Sequence, residues 1–263
     1  MARANRHYIP GHVWHLTHRC HKREYLFKFA KDRLRWMQWL YEARKKHHLV
    51  ILNYMVTSNH THLLVYDNGN ADVIPKSVQL LAGRIGQEYN IRKKRKGAFW
   101  QDRYHATAVE TGEHLRQCLV YIDLNMVRAG IIDHPSQWYW CGYNEIQSPR
   151  RKNVLIDYEK LGALTDFNKF DAFQAAHRKW VDGSLATHGN RREQRWSESI
   201  AVGSNTFTTD ILSQLGSRAK GRKIIEKGQT FQIREETEPY NPFDGEKGNI
   251  APENTMIWQQ DAR

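Results

Sequence analysis

Residues 13–18, Val-Trp-His-Leu-Thr-His, alternate in the two-residue period of a strand with one buried face. After a polar link, Leu34, Met37, Trp39, Leu40 and Ala43 recur at close to a helical period and predict a helix over about 30–47. Leu49 to Val56 predicts a second strand. Thr57-Ser58-Asn59 is a turn cluster, and His60 to Tyr66 predicts a third strand, so these two form a hairpin. Pro75 suits the first turn of a second helix, which carries Val78, Leu81 and Ile85 on one face and runs to about Tyr89. Phe99 to Glu110 returns to a strand. This order is that of a ferredoxin-like α+β sandwich, an antiparallel sheet with helices on one face, and it leaves the other face open.

A further helix is expected from Thr111-Gly112 to Gly130, a glycine suited to a left-handed cap. Leu115, Cys118, Leu119, Ile122, Met126 and Ala129 form its core-packing stripe, whereas Gln117, Asn125 and Arg128 fall within about 40° of Tyr121 at 3.6 residues per turn. Tyr121 therefore reads as a member of a polar face. The run Arg150-Arg151-Lys152 suggests a boundary, with a mainly helical extension over 150–234 (helices near 166–182 and 206–215) and an acidic tail over 235–263. There is no internal repeat.

Charge sharpens this picture. The 263 residues carry 40 Lys+Arg against 28 Asp+Glu, a net charge of +12, and favour a polyanionic partner, nucleic acid first. The tail from Glu235 holds seven acidic and two basic residues, so residues 1–234 carry +17. An apolar fraction of 40% excludes a disordered chain, and no apolar run approaches the roughly 20 residues that span a bilayer. Cys20, Cys118 and Cys141 lack any Cys-x-x-Cys pairing, which argues against a disulfide framework or zinc ribbon and fits the cytoplasm. No Gly-rich phosphate loop points to a small-molecule substrate.

His60 and His62, two apart on a strand, point to one face while Leu63 and Val65 point to the other. The pair fits a structural role as well as half of a divalent-metal site. On the helix, a phenol, an amide and a guanidinium could serve as nucleophile, third metal ligand and phosphate clamp, or be ordinary polar neighbours. His12, His15, His18 and His21 recur every third residue, which alternates faces on a strand and cannot build one metal site.

Four stretches, taken together, resemble the single-tyrosine HUH transposases, in particular the REP-associated tyrosine transposases of the IS200-like family. They are His15-Leu16-Thr17-His18-Arg19, Tyr54 to Val65 with its Asn59-His60-Thr61-His62-Leu63-Leu64-Val65 core, Phe99-Trp100-Gln101-Asp102-Arg103-Tyr104, and Val120-Tyr121-Ile122-Asp123-Leu124-Asn125-Met126-Val127-Arg128-Ala129-Gly130. They occur in the family's order over about residues 8–147. Thr61 stands where the motif usually has a hydrophobic residue and Met126 where many members have proline; neither change removes a chemical group.

The resemblance implies a nuclease domain over 1–149, with His60, His62 and Asn125 as ligands of a divalent metal (Mg²⁺ or Mn²⁺) and Tyr121 as nucleophile. The implied reaction nicks and rejoins single-stranded, hairpin-bearing DNA through a 5′-phosphotyrosine, in a monomer or homodimer. Arg92, Lys93, Lys94, Arg95 and Lys96, directly before Phe99-Trp100, read as a backbone-tracking ridge with Trp100 as a stacking platform. Arg19, Arg103 and Arg128 are further candidates for phosphate contact, and the basic stretches 191–196 and 217–223 suggest an auxiliary DNA-binding role for the extension. Two rivals are an HUH replication initiator or relaxase, and a non-cutting binder of repeated DNA hairpins.

Overall fold

The computed structural model describes residues 9–187 and 193–235. Strand β1 (Val13–Arg19), helix α1 (Ala30–His47), strands β2 (Val50–Val56) and β3 (His60–Tyr66), helix α2 (Val73–Lys93) and strand β4 (His105–Val109) follow in the expected order. Beyond them come α3 (Glu113–Asp123), α4 (Asn125–Arg128), α5 (Gly142–Gln147), α6 (Tyr158–Leu164), α7 (Phe170–Ala186), α8 (Arg195–Glu198), β5 (Ala201–Gly203), α9 (Asn205–Leu215), β6 (Arg222–Lys227) and β7 (Thr230–Glu235). The protein is thus α+β, with a sheet ordered β2-β3-β1-β4-β5-β7-β6.

Strand β1 lies between β3 and β4, antiparallel to both. Opposed residues share a face, so the register places Trp14, Leu16, Leu63 and Val65 on one side and His15, Thr17, Arg19, His60 and His62 on the other. The first side is covered by α1 and α2, whose Trp36, Leu40, Val78, Leu81 and Ile85 join the sheet residues in a continuous apolar core. Pro75 sits in the first turn of α2 as expected.

Three expectations change. The predicted strand 99–110 shortens to His105–Val109, because Phe99 is spent on packing against Phe27 and Tyr89 while Trp100 pairs with Cys20 in an isolated bridge. The helix predicted to Gly130 breaks at Leu124 (φ −80°, ψ 6°), and the short α4 ends before Gly130, which takes the left-handed φ of 66°. The second sheet face is not open. Helix α3 packs on it near β2 and β4, and α7 packs on α3.

Residues beyond 150 are mainly helical but also extend the sheet, β5 running parallel to β4 and β7 pairing with β5. Glu145 ties this part down from within. Its buried carboxylate accepts the backbone N–H groups of Leu155 (2.7 Å) and Ile156 (2.8 Å), the Tyr54 hydroxyl (2.9 Å) and the Arg150 guanidinium (3.2 Å). Arg150, part of the basic run that suggested a boundary, is therefore also a clasp. Most of the acidic tail, residues 236–263, lies outside the described residues.

Candidate active site

The period of β3 brings His60 and His62 to the second sheet face with ring centroids 4.9 Å apart. His60 is set by the turn that precedes its strand: its Nδ1 lies 2.7 Å from Asn59 Oδ1 and 3.0 Å from Thr57 Oγ1. His62 is only 2% exposed. Its Nδ1 meets Nε2 of His15 at 2.9 Å, across the β1–β3 ladder, and its Nε2 meets Nδ2 of Asn125 at 2.9 Å. Burial, reinforced by His60, His15, Arg128 and Arg19, holds the His62 pKa well below its ordinary 6.5. Burial likewise takes His15 down to about 3. Both imidazoles are neutral near pH 7, the form in which a ring nitrogen accepts a metal or a proton.

Tyr121 comes to the same place from α3. Its ring stands edge-on to His62 (6.1 Å between centroids) and to His15 (6.2 Å). The Arg128 guanidinium lies 4.0 Å over the ring, and its Nη2 donates to the Tyr121 carbonyl at 2.6 Å. Tyr121 is 7% exposed, which corrects its reading as a polar-face residue. The cause is the covered sheet face: α3 is held between the sheet and α7, so its apolar stripe and its tyrosine are both buried. Gln117, expected on Tyr121's face, is bound instead to Glu113 at 3.1 Å. Ala129, assigned to the apolar stripe, is exposed beyond the break.

Arg19, Arg23, His60, Tyr121, Asn125 and Arg128 all line one cleft of about 290 Å³. All four expected chemical residues are thus brought together in one chain, with two of the expected arginines. Among the described residues no three His, Cys, Asp or Glu side chains form a metal cage. A cation here would therefore rely on two imidazoles and an amide, with phosphate or water completing its shell. Asn125 fits once its amide is turned, since the oxygen and nitrogen positions interchange at little geometric cost.

The remaining DNA-binding candidates are dispersed. Arg92 and Lys93 form the last turn of α2, and Lys94, Arg95 and Lys96 follow it, in the helical layer on the far side of the sheet from His62. Arg92 pairs with Asp32, Lys93 lies 5.1 Å from the Phe29 ring, and Arg95 donates to the Ala98 carbonyl (2.9 Å) and reaches Glu24 (3.3 Å). Lys94 is the left-handed cap of α2 and Lys96 is exposed. Trp100 is engaged within the protein: its indole N–H donates to the Ala82 carbonyl at 3.0 Å, and His18 stacks on its ring at 3.8 Å. The large exposed aromatics nearby are Tyr25 (68%) and Phe29 (48%). Arg103 is exposed, its backbone N–H donating to its neighbour Asp102 at 2.7 Å.

Three participants escaped the sequence reading. His15 was set aside with the every-third-residue histidines; the strand does alternate their faces, but the register opposes Thr17 to His62 and brings His15, diagonal to it on the same face, into hydrogen-bond contact with its ring. Asp123, two residues from Tyr121, is fully buried and bound to His177 of α7 at 2.8 Å and to the Asn53 amide at 3.0 Å. Trp196 packs on Tyr121 at 6.0 Å and is fully buried. No local pattern identifies the last two, because their partners are distant in sequence. Arg191 and Arg192, beside Trp196 in the expected DNA-binding stretch, lie outside the described residues.

Residues 9–125 match the family model of the IS200-like transposases. No curated protein sequence matches. Among solved structures, a REP-associated tyrosine transposase bound to a REP hairpin is similar, with a TM-score of 0.48 and 19% identity over 57% of this chain and 87% of that one. A candidate transposase from Deinococcus radiodurans R1 is also similar, with a TM-score of 0.33 and 19% identity over 44% of this chain and 90% of that one. The family match spans Tyr121, both histidines and Asn125, so the part of the chain that resembles the IS200-like transposases holds all four.

Proposed function

We propose that this transposase nicks single-stranded, hairpin-bearing DNA with Tyr121 and rejoins it to a new end. The observation that carries the reading is the convergence of Tyr121, His60, His62, Asn125 and Arg128 on one cleft. The Tyr121 oxygen attacks the scissile phosphorus, the phenol gives up its proton, and the bond to the 3′ oxygen breaks. The products are a 5′-phosphotyrosine and a 3′-hydroxyl. A second 3′-hydroxyl attacking the same phosphorus reverses the step on a new partner without an external energy source.

His60, His62 and Asn125 would hold the divalent ion, Mg²⁺ or Mn²⁺. Bound there, it would polarise the phosphoryl oxygens and offset their charge. His15 keeps the His62 ring oriented from behind. Arg19 and Arg128 supply positive charge to the phosphate from the cleft walls, a role suited to a fixed guanidinium. Tyr121 stands beside its own chain's histidines, so a monomer acting in the cytoplasm suffices. The basic end of α2, with Tyr25 and Phe29 nearby, is the surface on which DNA outside the cleft would run.

The second reading, a hairpin binder that does not cut, draws on the 7% exposure of Tyr121 beneath Arg128 and Trp196. Wild type and Tyr121→Phe, incubated with labelled single-stranded hairpin DNA with and without Mn²⁺, separate the two. Cleavage predicts a denaturant-stable protein–DNA adduct that needs the ion and is absent from the variant. Tight binding with no adduct under any divalent ion would select the non-cutting reading.

A further inference from the structure

Residues 193–199 form a wall that lies beyond the matched transposase segment yet reaches its centre. Arg195 pairs with Glu193 and donates to the Thr230 hydroxyl of β7 at 3.1 Å. Ser199 donates to Gln232 at 3.0 Å, and its carbonyl accepts from Thr107 (2.7 Å) and meets His105 Nε2 (2.9 Å), both on β4. The segment is thus clamped to β7 and β4. Between the clamps, Trp196 is fully buried with its ring on Tyr121, and Ser197 lines the same cleft as His60 and Asn125.

We propose that Trp196 is a positioning residue of the cleavage step: its clamped indole is the backstop that holds the Tyr121 phenol against the histidine pair, and residues 193–199 complete the catalytic cleft. The inference rests on the proposed cleavage reaction, because only a nucleophile needs its ring held to a fraction of a rotamer well. Three surfaces confine that ring: the imidazoles of His15 and His62, the guanidinium of Arg128 and the indole of Trp196. The first two are polar, and their His62 and Arg128 line the cleft where phosphate or metal would bind. Trp196 is the apolar one, sequestered from the DNA, and can restrain the phenol throughout the reaction. Displacing a reacting group by about 1 Å is enough to slow a reaction about a hundredfold.

The test uses the full chain with Trp196→Phe, Trp196→Leu and Trp196→Ala. For each, adduct formation with hairpin DNA is timed in a single turnover, DNA affinity is measured separately, and the folded fraction is read by circular dichroism. In folded Trp196→Leu, adduct formation should slow by about tenfold or more while the Kd for DNA stays within about threefold; Trp196→Phe, which keeps a ring, should recover most of the rate. A wild-type rate in the folded Leu variant would overturn the proposal. So would rate and affinity falling together in step with the folded fraction.

A second readout does not depend on cleavage. In protein carrying ¹³C-labelled tyrosine, with the signal assigned by Tyr121→Phe, the Tyr121 ring resonances should lose the indole ring-current shift and broaden in Trp196→Leu. Unchanged resonances would overturn the proposal even if Trp196→Ala fails to fold. A wild type that never forms an adduct would refute the cleavage reading and with it a positioning role for Trp196. The spectra would then report only whether the ring contact exists.

Discussion

The two faces of the sheet are built on different physics. Toward α1 and α2, Trp14, Leu16, Leu63 and Val65 meet Trp36, Leu40, Val78 and Leu81, and stability comes from apolar area removed from water. Toward α3, the sheet presents His15, Thr17, Asn53, His62 and Thr107, all buried. On that face each polar group needs a partner, since an unpaired one in a low-dielectric interior costs free energy that apolar contact does not return. Asn53 and His177 satisfy Asp123, Asn125 and His15 satisfy His62, and Ser199 satisfies Thr107 and His105. The lesson is that the face carrying the cleft depends on residues 170–199 for its completion, whereas the helical face is covered by α1 and α2 with Phe99 and Trp100 filling its corner.

The contrast is broken most strongly at the Asp123–His177 pair. Replacing His177 by Ala leaves a buried carboxylate with the Asn53 amide alone and should destabilise the fold by about 3–5 kcal/mol in urea unfolding. Replacing both partners by Leu should cost less than the sum of the two single changes, because no buried charge is then left behind. An additive double variant would show that the pair is not coupled and that the second face behaves like the first.

On the helical face the expectation is simpler. Leu40→Ala, at a fully buried position of α1, should cost about 2–5 kcal/mol according to how far the site collapses. The folded fraction should bind DNA as wild type does, as shown by affinity measured well below the melting temperature. A variant as stable as wild type, or one with weakened DNA binding when fully folded, would blur the distinction between the faces.

The smallest expected effect is in pH dependence. Burial lowers the His105 pKa from its ordinary 6.5, opposed by the Ser199 carbonyl. The unfolded chain therefore binds a proton here more readily than the folded one. The contribution is fully present above about pH 6.5 and is lost as pH falls below it. His105→Gln, which keeps a donor for Ser199 but cannot titrate, should flatten the loss of stability between pH 7 and 5. An unchanged slope would assign that loss to other groups.

Deletion of residues 150–263 cannot isolate a DNA-binding role for the extension. It removes His177 from Asp123, Trp196 from Tyr121 and β5 from the edge of β4. The Trp196 variants address the extension without that damage.

Much of the fold and half of the site were legible in the sequence. Strands β1 to β3 and helices α1 and α2 follow apolar periods that local geometry imposes, and His60 and His62 share a face because a strand repeats every two residues. The 3.6-residue period set Tyr121, Asn125 and Arg128 together, and this survived the break at Leu124. The aromatic run Phe99-Trp100 misled, because apolar side chains that fill a corner look in sequence like those of a ladder. The three added strands escaped because Ala201–Gly203 is too short to show a period, and its neighbour β4 lies more than 90 residues earlier.

By itself, then, the sequence picked out the residues that meet in the cleft and the local elements that hold them, since hydrogen-bonding periods and side-chain type are properties of short segments. Tertiary structure decided what covers those residues. His15 reaches the His62 ring through strand register, Asp123 is closed off by α7, and Tyr121 is pressed by a tryptophan 75 positions away. These outcomes depend on which surfaces meet when apolar area leaves water, a long-range choice that no single segment encodes.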